Sequence, residues 1–211
     1  MLDCEPLMKI NTLPQFEQAI EYAHHRLRTE LSPALTYHSY WHTFSDVMPA
    51  AARLANLNQI SDMDKRLVGV AAAFHDIGYI HDFDEHEAAS VEVVNQVLPR
   101  FGFTPAQVDQ IAGMILATHL PQSPRNLLEE ILADADLDVL GREDFLERGE
   151  HLRQELIALG KLNPTEQWNQ RQLDFLRQHR YFTPQAIALR QAAKLSYIAA
   201  IEEMLRKNGK A

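Results

Sequence analysis

The sequence predicts an all-α protein, and three observations support that prediction. Apolar residues recur every three or four positions along most of the 211-residue chain, which is the spacing of one helix face. Capping residues, glycines and prolines occur where those stretches end. No segment of strand length alternates in the Val-, Ile- and Tyr-rich manner typical of a β-strand. Because no repeat or flexible linker divides the chain, we expect a single domain over residues 1–211.

The first four predicted helices span residues 14–31, 40–57, 63–74 and 84–98. In the second, Pro49 interrupts the apolar pattern, and we expect a kink or a break there because proline lacks an amide hydrogen. Ser61-Asp62 provides an N-cap for the third helix. The last turn of that helix is almost wholly apolar, so we expect it to be buried.

The last five predicted helices span residues 105–119, 127–140, 142–159, 164–179 and 184–206. Thr104-Pro105, Asn163-Pro164 and Thr183-Pro184 each place a capping residue before a proline in the first turn of a helix. Gly160 is positioned to end the seventh helix. The helices after residue 143 carry no chemical motif, and we expect them to complete the core or to form a dimer.

Composition limits the classes of function. The net charge of -9 argues against a general nucleic-acid binder, but it is compatible with a small phosphorylated ligand. Cys4 is the one cysteine, so no internal disulfide can form, which suits a reducing compartment. The N-terminus does not resemble a secretory signal, and no apolar run approaches the roughly 20 residues that cross a bilayer. We therefore expect a soluble, cytoplasmic protein that binds neither nucleic acid nor membrane.

The pair His75-Asp76 ends the apolar stretch from Leu67 to Phe74 and is the most informative feature of the chain. Burying an ionised aspartate without a partner costs several kcal/mol, so Asp76 needs a metal, an arginine or amide donors. The alternative is a helix C-terminus at which His75 favours the helix dipole. That alternative explains the histidine but explains the following acid poorly.

Two histidines upstream, His38 and His42, lie one turn apart if this segment is helical, so they share a face. Both could bind one metal, or one could bind while the other works as an acid. The alternative is a pair of packing histidines beside Tyr40 and Trp41.

Three aspartates follow the apolar pair Ile131-Leu132. In a helix, Asp134 and Asp138 lie on one face while Asp136 points roughly to the opposite side. A solvated acidic face is the alternative explanation, and it suits Asp136 or Asp138 better than Asp134.

Two further histidines, His86 and His119, stand singly on helices that are otherwise apolar and periodic. Each is either a second-metal ligand or a satisfied core or surface residue.

The ordered set His42, His75-Asp76 and Asp134, with Tyr37-His38 before it, resembles the HD-domain superfamily of metal-dependent phosphohydrolases. The strings AAFHDIGY, DEHEAAS, MILATH and ADADLDVLG are similar to those of small bacterial HD proteins. The resemblance covers about residues 35–142, with the C-terminal helices, about 143–211, outside it. It implies a helical bundle, in agreement with the helices predicted from periodicity.

The resemblance also implies roles for individual residues. It implies that a first metal is held by His42, His75, Asp76 and Asp134. Asp76 would also bridge to a second metal, for which His86 and His119 resemble the extra ligands. His38 resembles the acid histidine of the phosphodiesterase branch, so His38 and Asp76 are the expected catalytic residues.

Mixed imidazole and carboxylate ligands suit Mn, Fe, Co, Ni or Zn, with Mg as a further candidate, and we expect one or two ions per chain. Many members of the family carry a lysine after the His-Asp pair, whereas this chain has Tyr79 and His81 in that region. The Gly-Tyr-Pro motif of the cyclic-di-nucleotide branch is absent, which argues against a cyclic dinucleotide as the substrate.

Because the protein is acidic, the charge of a phosphorylated substrate needs cations close to it. Arg125 and Arg142 are the candidates for this contact, with solvated surface arginines as the alternative.

These observations favour a metal-dependent phosphohydrolase, a phosphomonoesterase or phosphodiesterase that acts on a nucleotide or another small phosphate ester. Two alternatives stay open at this point. One is a di-iron oxygenase of the HD type, and the other is a non-catalytic module that binds a nucleotide or a protein. A homodimer is a candidate assembly.

Overall fold

The computed structural model describes residues 13–165 and 167–208 of the chain, so Cys4 lies outside the described residues. The described residues contain α-helices and no strand, which confirms the all-α prediction. Residues 13–165 and 167–208 form nine α-helices, which are α1 (Phe16–Glu30), α2 (Met48–Leu57), α3 (Asp62–Phe74), α4 (His86–Val97), α5 (Pro105–Leu116), α6 (Leu127–Asp136), α7 (Phe145–Ala158), α8 (Trp168–Gln178) and α9 (Pro184–Asn208). Within this described part, none of the helices is both long enough and apolar enough to cross a bilayer.

In the part of the chain that the structure describes, four shorter helical segments connect these helices. A π-helix spans His42–Val47, and 3-10 turns span Ile77–Ile80, Leu98–Phe101 and Asp138–Gly141. The π-helix runs directly into α2, which carries Pro49 in its first turn. Because Pro49 has no amide hydrogen and its ring crowds the preceding turn, the wider winding accommodates the expected interruption without breaking the helix.

Capping groups set several helix starts as predicted. The Ser61 hydroxyl accepts a hydrogen bond from the amide of Asp64 at 3.1 Å and caps α3. Thr104 and Gln107 form a reciprocal capping box at the start of α5. The start predicted at Asn163-Pro164 is wrong, because α8 begins at Trp168. The Asn163 side chain instead accepts from the Thr165 amide at 3.0 Å, and such a local turn competes with helix formation.

The core is built around α3, which packs against α1, α2, α5 and α6. The side chains from Val70 to Phe74 are completely buried, as the apolar last turn of this helix predicts. Burial on every side fixes the end of α3, and therefore the following His-Asp pair, in the centre of the bundle. The C-terminal helices cover one flank, where α9 packs against α8, α2 and the turn Asp138–Gly141.

Candidate metal centre

Four side chains from three separate segments converge beside the end of α3. His42 comes from the π-helix, His75 and Asp76 follow α3, and Asp136 ends α6. Asp76 Oδ2 lies 3.2 Å from His75 Nε2 and 3.7 Å from His42 Nε2. Asp136 Oδ1 lies 3.2 Å from His42 Nε2 and 3.4 Å from His75 Nε2. Two imidazole nitrogens and two carboxylate oxygens thus face one another across a few ångströms.

The orientation of His75 suits a metal ligand. Its Nδ1–H donates to the Ala72 carbonyl at 2.8 Å, so Nε2 points into the cluster. Within the described part of the chain, His75 Nε2 and Asp76 Oδ2 are buried and make no hydrogen bond of good geometry. Buried polar atoms without partners are costly, and a divalent cation would satisfy both. The ligand atoms of His42, His75 and Asp76 lie within 4.8 Å of one another, close enough to share one ion.

Charge reinforces this arrangement. Burial opposes ionisation of Asp76, but the neighbouring charges of His75 and His42 outweigh it and hold the pKa of Asp76 well below its usual range. Burial has the same effect on Asp136, and the hydrogen bond from His42 together with the neighbouring charge of His75 outweighs it and lowers its pKa. For His75, the two carboxylates overcome burial and raise its pKa. The cluster thus keeps two carboxylates ionised and attracts positive charge.

The structure places Asp136, and not the expected Asp134, in this cluster. The Asp134 carboxylate accepts hydrogen bonds from the amides of Phe182 and Thr183, both at 2.8 Å, and from the Thr183 hydroxyl at 2.7 Å. It is completely buried and faces the start of α9. The two aspartates point to opposite sides of α6, as helical geometry requires, but the side that carries the site is the one with Asp136.

His86 and His119 stand at different distances from the cluster. His86 Nε2 lies 3.7 Å from Asp76 Oδ1, on the side of this carboxylate away from His75. His119 is connected to His86 by Glu87, which is buried. One oxygen of Glu87 lies 3.3 Å from His86 Nε2, and the other lies 3.3 Å from His119 Nδ1. Asp76 therefore stands between two groups of potential ligands, and Glu87 joins the second group although the sequence motif did not indicate it.

His38 is held by a carboxylate from a C-terminal helix. Glu155 on α7 is completely buried, and its Oε1 lies 2.5 Å from His38 Nδ1. Its other oxygen accepts from the amides of Tyr37 and His38 at 2.7 and 2.9 Å. Burial lowers the pKa of His38, but the hydrogen bond and the charge of Glu155 outweigh it, so the net shift is upward.

Sequence reasoning missed Glu155, yet one signal for it exists. On a helix, Glu155 shares a face with Leu152, Leu156 and Leu159, and an acid on an apolar face needs a buried partner. The position of that partner, more than a hundred residues earlier in the chain, cannot be read from this pattern.

The turn after the His-Asp pair brings α4 to the site. Gly78 packs so closely that a Cβ there would lie 1.9 Å from the carbonyl oxygen of His86. Its amide donates to the Ser90 hydroxyl at 2.8 Å, which in turn donates to the His75 carbonyl at 2.7 Å. The Tyr79 ring stacks on His86 at 3.9 Å between ring centroids and lies 4.6 Å from the ring of His38.

Neither Arg125 nor Arg142, the arginines expected to contact substrate, lines the cavity beside the cluster. The Arg142 guanidinium donates to Asp46 at 2.7 Å and to Asp144 at 2.9 Å, so it is engaged in an internal ion-pair network. Arg125 is exposed in the loop before α6 and does not line the cavity beside the cluster. That cavity, of about 800 Å³, is lined by Asp76, Asp136, His38 and His86 and continues to α7 and α8.

Comparisons with known proteins agree with this fold. Residues 43–138 match the family model described as HD domain. A predicted HD superfamily hydrolase from an uncultured Thermotogales bacterium has a similar crystal structure, with 21% identity, a TM-score of 0.56 and 95% of each chain covered. The crystal structure of a protein from Lactobacillus plantarum is also similar, with 16% identity, a TM-score of 0.67, and 93% of this chain and 98% of the other covered. No curated protein matches the chain significantly.

Proposed function

Because residues 43–138 of this chain form an HD domain, we propose that the protein is a metal-dependent phosphohydrolase acting on a small phosphate ester. One observation carries the proposal. Two histidines and two ionised carboxylates meet beside a large cavity, and two of their buried atoms have no hydrogen bond of good geometry within the described residues. The similarity to a protein described as a predicted HD superfamily hydrolase supports the same reaction class.

The residues that would hold the ion are His42, His75, Asp76 and Asp136. Imidazole and carboxylate together suit Mn, Fe, Co, Ni or Zn. A divalent ion at such a site neutralises phosphoryl charge and makes a bound water acidic enough to be deprotonated near neutral pH.

The leaving oxygen of a phosphate ester needs a proton, and His38 is the residue that we assign to supply it. Glu155 fixes the ring through Nδ1 and favours the protonated form of His38. The Nε2 atom is left for the cavity, which His38 lines together with Asp76. A histidine that is oriented and charged in this way can act as a general acid.

We propose a second ion site on the other side of Asp76. His86 lies against Asp76 Oδ1, while Glu87 connects His86 to the more exposed His119. Burial lowers the pKa of His86, which favours the neutral imidazole that metals bind. Two ions per chain would support this site, and one would restrict metal binding to the first cluster.

Replacement of His75 or Asp76 by alanine tests the proposed function. We expect the His75→Ala and Asp76→Ala proteins to lose both bound metal, measured by elemental analysis, and phosphatase activity against a broad panel of esters. His25→Ala is the matched control, because His25 is exposed on α1.

Phosphatase activity that survives complete removal of metal would contradict the proposal. Iron content with oxygen consumption and no ester hydrolysis would point instead to a di-iron oxygenase.

A further inference from the structure

The cavity beside the metal centre is much larger than a phosphate group needs. Its volume of about 800 Å³ falls in the range of sites that enclose a whole organic ligand. One end is lined by Asp76 and Asp136, and the other lies between α7 and α8, beyond the residues that match the HD domain. A phosphate at the metal centre would therefore leave most of this space for the rest of its ester.

The far end of the cavity has apolar walls. Leu152 and Leu156 project from α7, and Trp168 and Phe175 project from α8; together these four residues form what we call the α7–α8 chamber. All four side chains are partly exposed, and the main hydrophobic core excludes Leu152, Leu156 and Trp168. Because covering apolar surface is favourable, a ligand with an apolar group would gain affinity here.

Charge beyond the metal centre is nearly balanced. There, among the residues that the structure describes, Arg148 and Arg171 line the cavity with the acid Asp174, whereas Asp76, Glu87 and Asp136 belong to the two proposed ion sites. Arg148 is buried, with Nη2 lying 2.9 Å from Asp46 and its guanidinium 5.3 Å from the Tyr37 ring. Beyond the metal centre, a chain of phosphates would therefore meet nearly balanced charge and no excess of cations.

From these observations we infer that the substrate carries a single phosphate on a bulky, uncharged, largely apolar group, and that the α7–α8 chamber binds this group. The inference rests on the proposed function for the phosphate end of the substrate. It makes Leu152, Leu156 and Trp168 specificity-determining residues, although they lie in helices without a chemical motif.

Two esters of primary alcohols, ethyl phosphate and 2-phenylethyl phosphate, test the inference, because they differ mainly in apolar bulk. With the full-length, Mn²⁺-loaded protein we expect kcat/KM to be at least about tenfold higher for 2-phenylethyl phosphate.

Leu156→Trp, which fills the chamber, should reduce this preference about tenfold. Trp168→Ala, which removes an apolar wall, should also reduce it and serves if Leu156→Trp does not fold. Leu146→Trp is the control, since Leu146 lies on α7 but is 54% exposed outside the cavity and should keep the wild-type preference.

A binding measurement separates this inference from the proposed function. The chain has two tryptophans, so Trp41→Phe leaves Trp168 as the sole reporter. We expect 2-phenylethyl phosphate to shift Trp168 fluorescence, while ethyl phosphate at the same concentration does not. If Trp168 responds but no ester is hydrolysed, binding of the apolar group in the α7–α8 chamber is supported and the proposed function is contradicted. If both esters are hydrolysed equally well and Trp168 does not respond, the chamber is excluded and the proposed function stands.

Discussion

Asp134 and Asp136 have opposite surroundings although one residue separates them, because their side chains leave α6 on opposite sides. Asp134 accepts three hydrogen bonds from Phe182 and Thr183, and so ties α6 to the start of α9. Asp136 faces His42 and His75. The first aspartate therefore joins two helices, and the second belongs to the candidate metal centre.

Conversion of each aspartate to asparagine separates these roles. We expect Asp136→Asn to weaken Mn²⁺ binding by at least about tenfold. Even the replacement of a residue that only hydrogen-bonds to a metal ligand commonly weakens metal binding by that factor. Asp134→Asn should retain its metal but unfold about 1.5–3 kcal/mol more easily, because its hydrogen bonds involve a charged acceptor. Calorimetric titration and urea unfolding measure the two effects. Loss of metal in Asp134→Asn with full retention in Asp136→Asn would reverse the assignment.

Glu155 acts on the site through His38. Its carboxylate fixes the ring through Nδ1 and also accepts two backbone amides, so one buried group sets both the position and the charge of the imidazole. Glutamine has the same shape and can still accept those amides, but it cannot stabilise a protonated imidazole. The charge of Glu155 can therefore be removed with little change in packing.

For Glu155→Gln we expect kcat to fall about 100-fold, the lower end of what a general acid contributes, while KM stays within about threefold. Steady-state kinetics on an alkyl phosphate, with a thermal melt to check folding, measures this. Glu147→Gln is the matched control, because Glu147 is exposed on the same helix. A wild-type kcat in Glu155→Gln would show that His38 does not need this carboxylate.

At the scale of elements, helix ends with strong local signals follow the sequence closely. The caps at Ser61 and Thr104 depend on residues a few positions away, so a single sequence contains all the information for them. Helix α8 begins later than predicted, because the local turn at Asn163 competes with the helix start that Pro164 would favour. Helical geometry correctly predicted that Asp134 and Asp136 point to opposite sides, but only the packing against α9 decides which side of α6 faces His42 and His75.

The turn Ile77–Ile80 and α4 approach each other closely beside the site. An added Cβ at Gly78 would meet the backbone of His86 and Ser90, which cannot move aside as a flexible side chain can. In α3, by contrast, a Cβ at Gly69 would have nothing within 4 Å. The two glycines therefore form a natural pair for comparison.

We expect Gly78→Ala to destabilise the protein by about 1–3 kcal/mol or more, the usual cost of overpacking, and to displace His86. Gly69→Ala should stabilise it by about 0.5–1 kcal/mol, because alanine favours a helix interior. Urea unfolding measures both changes. Equal stabilities for the two variants would mean that α4 can shift freely relative to the His-Asp turn.

At the scale of the whole molecule, the C-terminal helices are part of the site and not only a support for it. Their sequence contains no chemical motif, which predicts only that they complete the core or form a dimer. In the structure α7 supplies Glu155 to His38, and α9 binds Asp134. These contacts join residues more than forty positions apart, so neither periodicity nor local spacing could have indicated them.

The same C-terminal region contains a partly buried histidine, His179, that links folding to pH. Lys194 Nζ lies 3.1 Å from His179 Nδ1, and the Tyr181 ring packs edge-on at 4.6 Å. Burial and the charge of Lys194 lower the pKa of His179 to about 3, against about 6.5 in an unfolded chain. Between these values the unfolded state binds a proton that the folded state does not. The contribution of neutral His179 to the free energy of unfolding is therefore fully present above about pH 6.5, and it is lost as the pH falls towards 3.

His179→Gln should remove this part of the pH dependence. The free energy of unfolding should fall less steeply between pH 7 and pH 4.5 in the variant than in the wild type, although other acidic groups contribute equally to both. Urea unfolding at several pH values, at constant ionic strength and metal concentration, measures the difference. His25→Gln is the control, because His25 is exposed and should leave the wild-type slope unchanged. A constant difference between His179→Gln and wild type at every pH would mean that the folded protein admits the proton, and that His179 contributes only through packing.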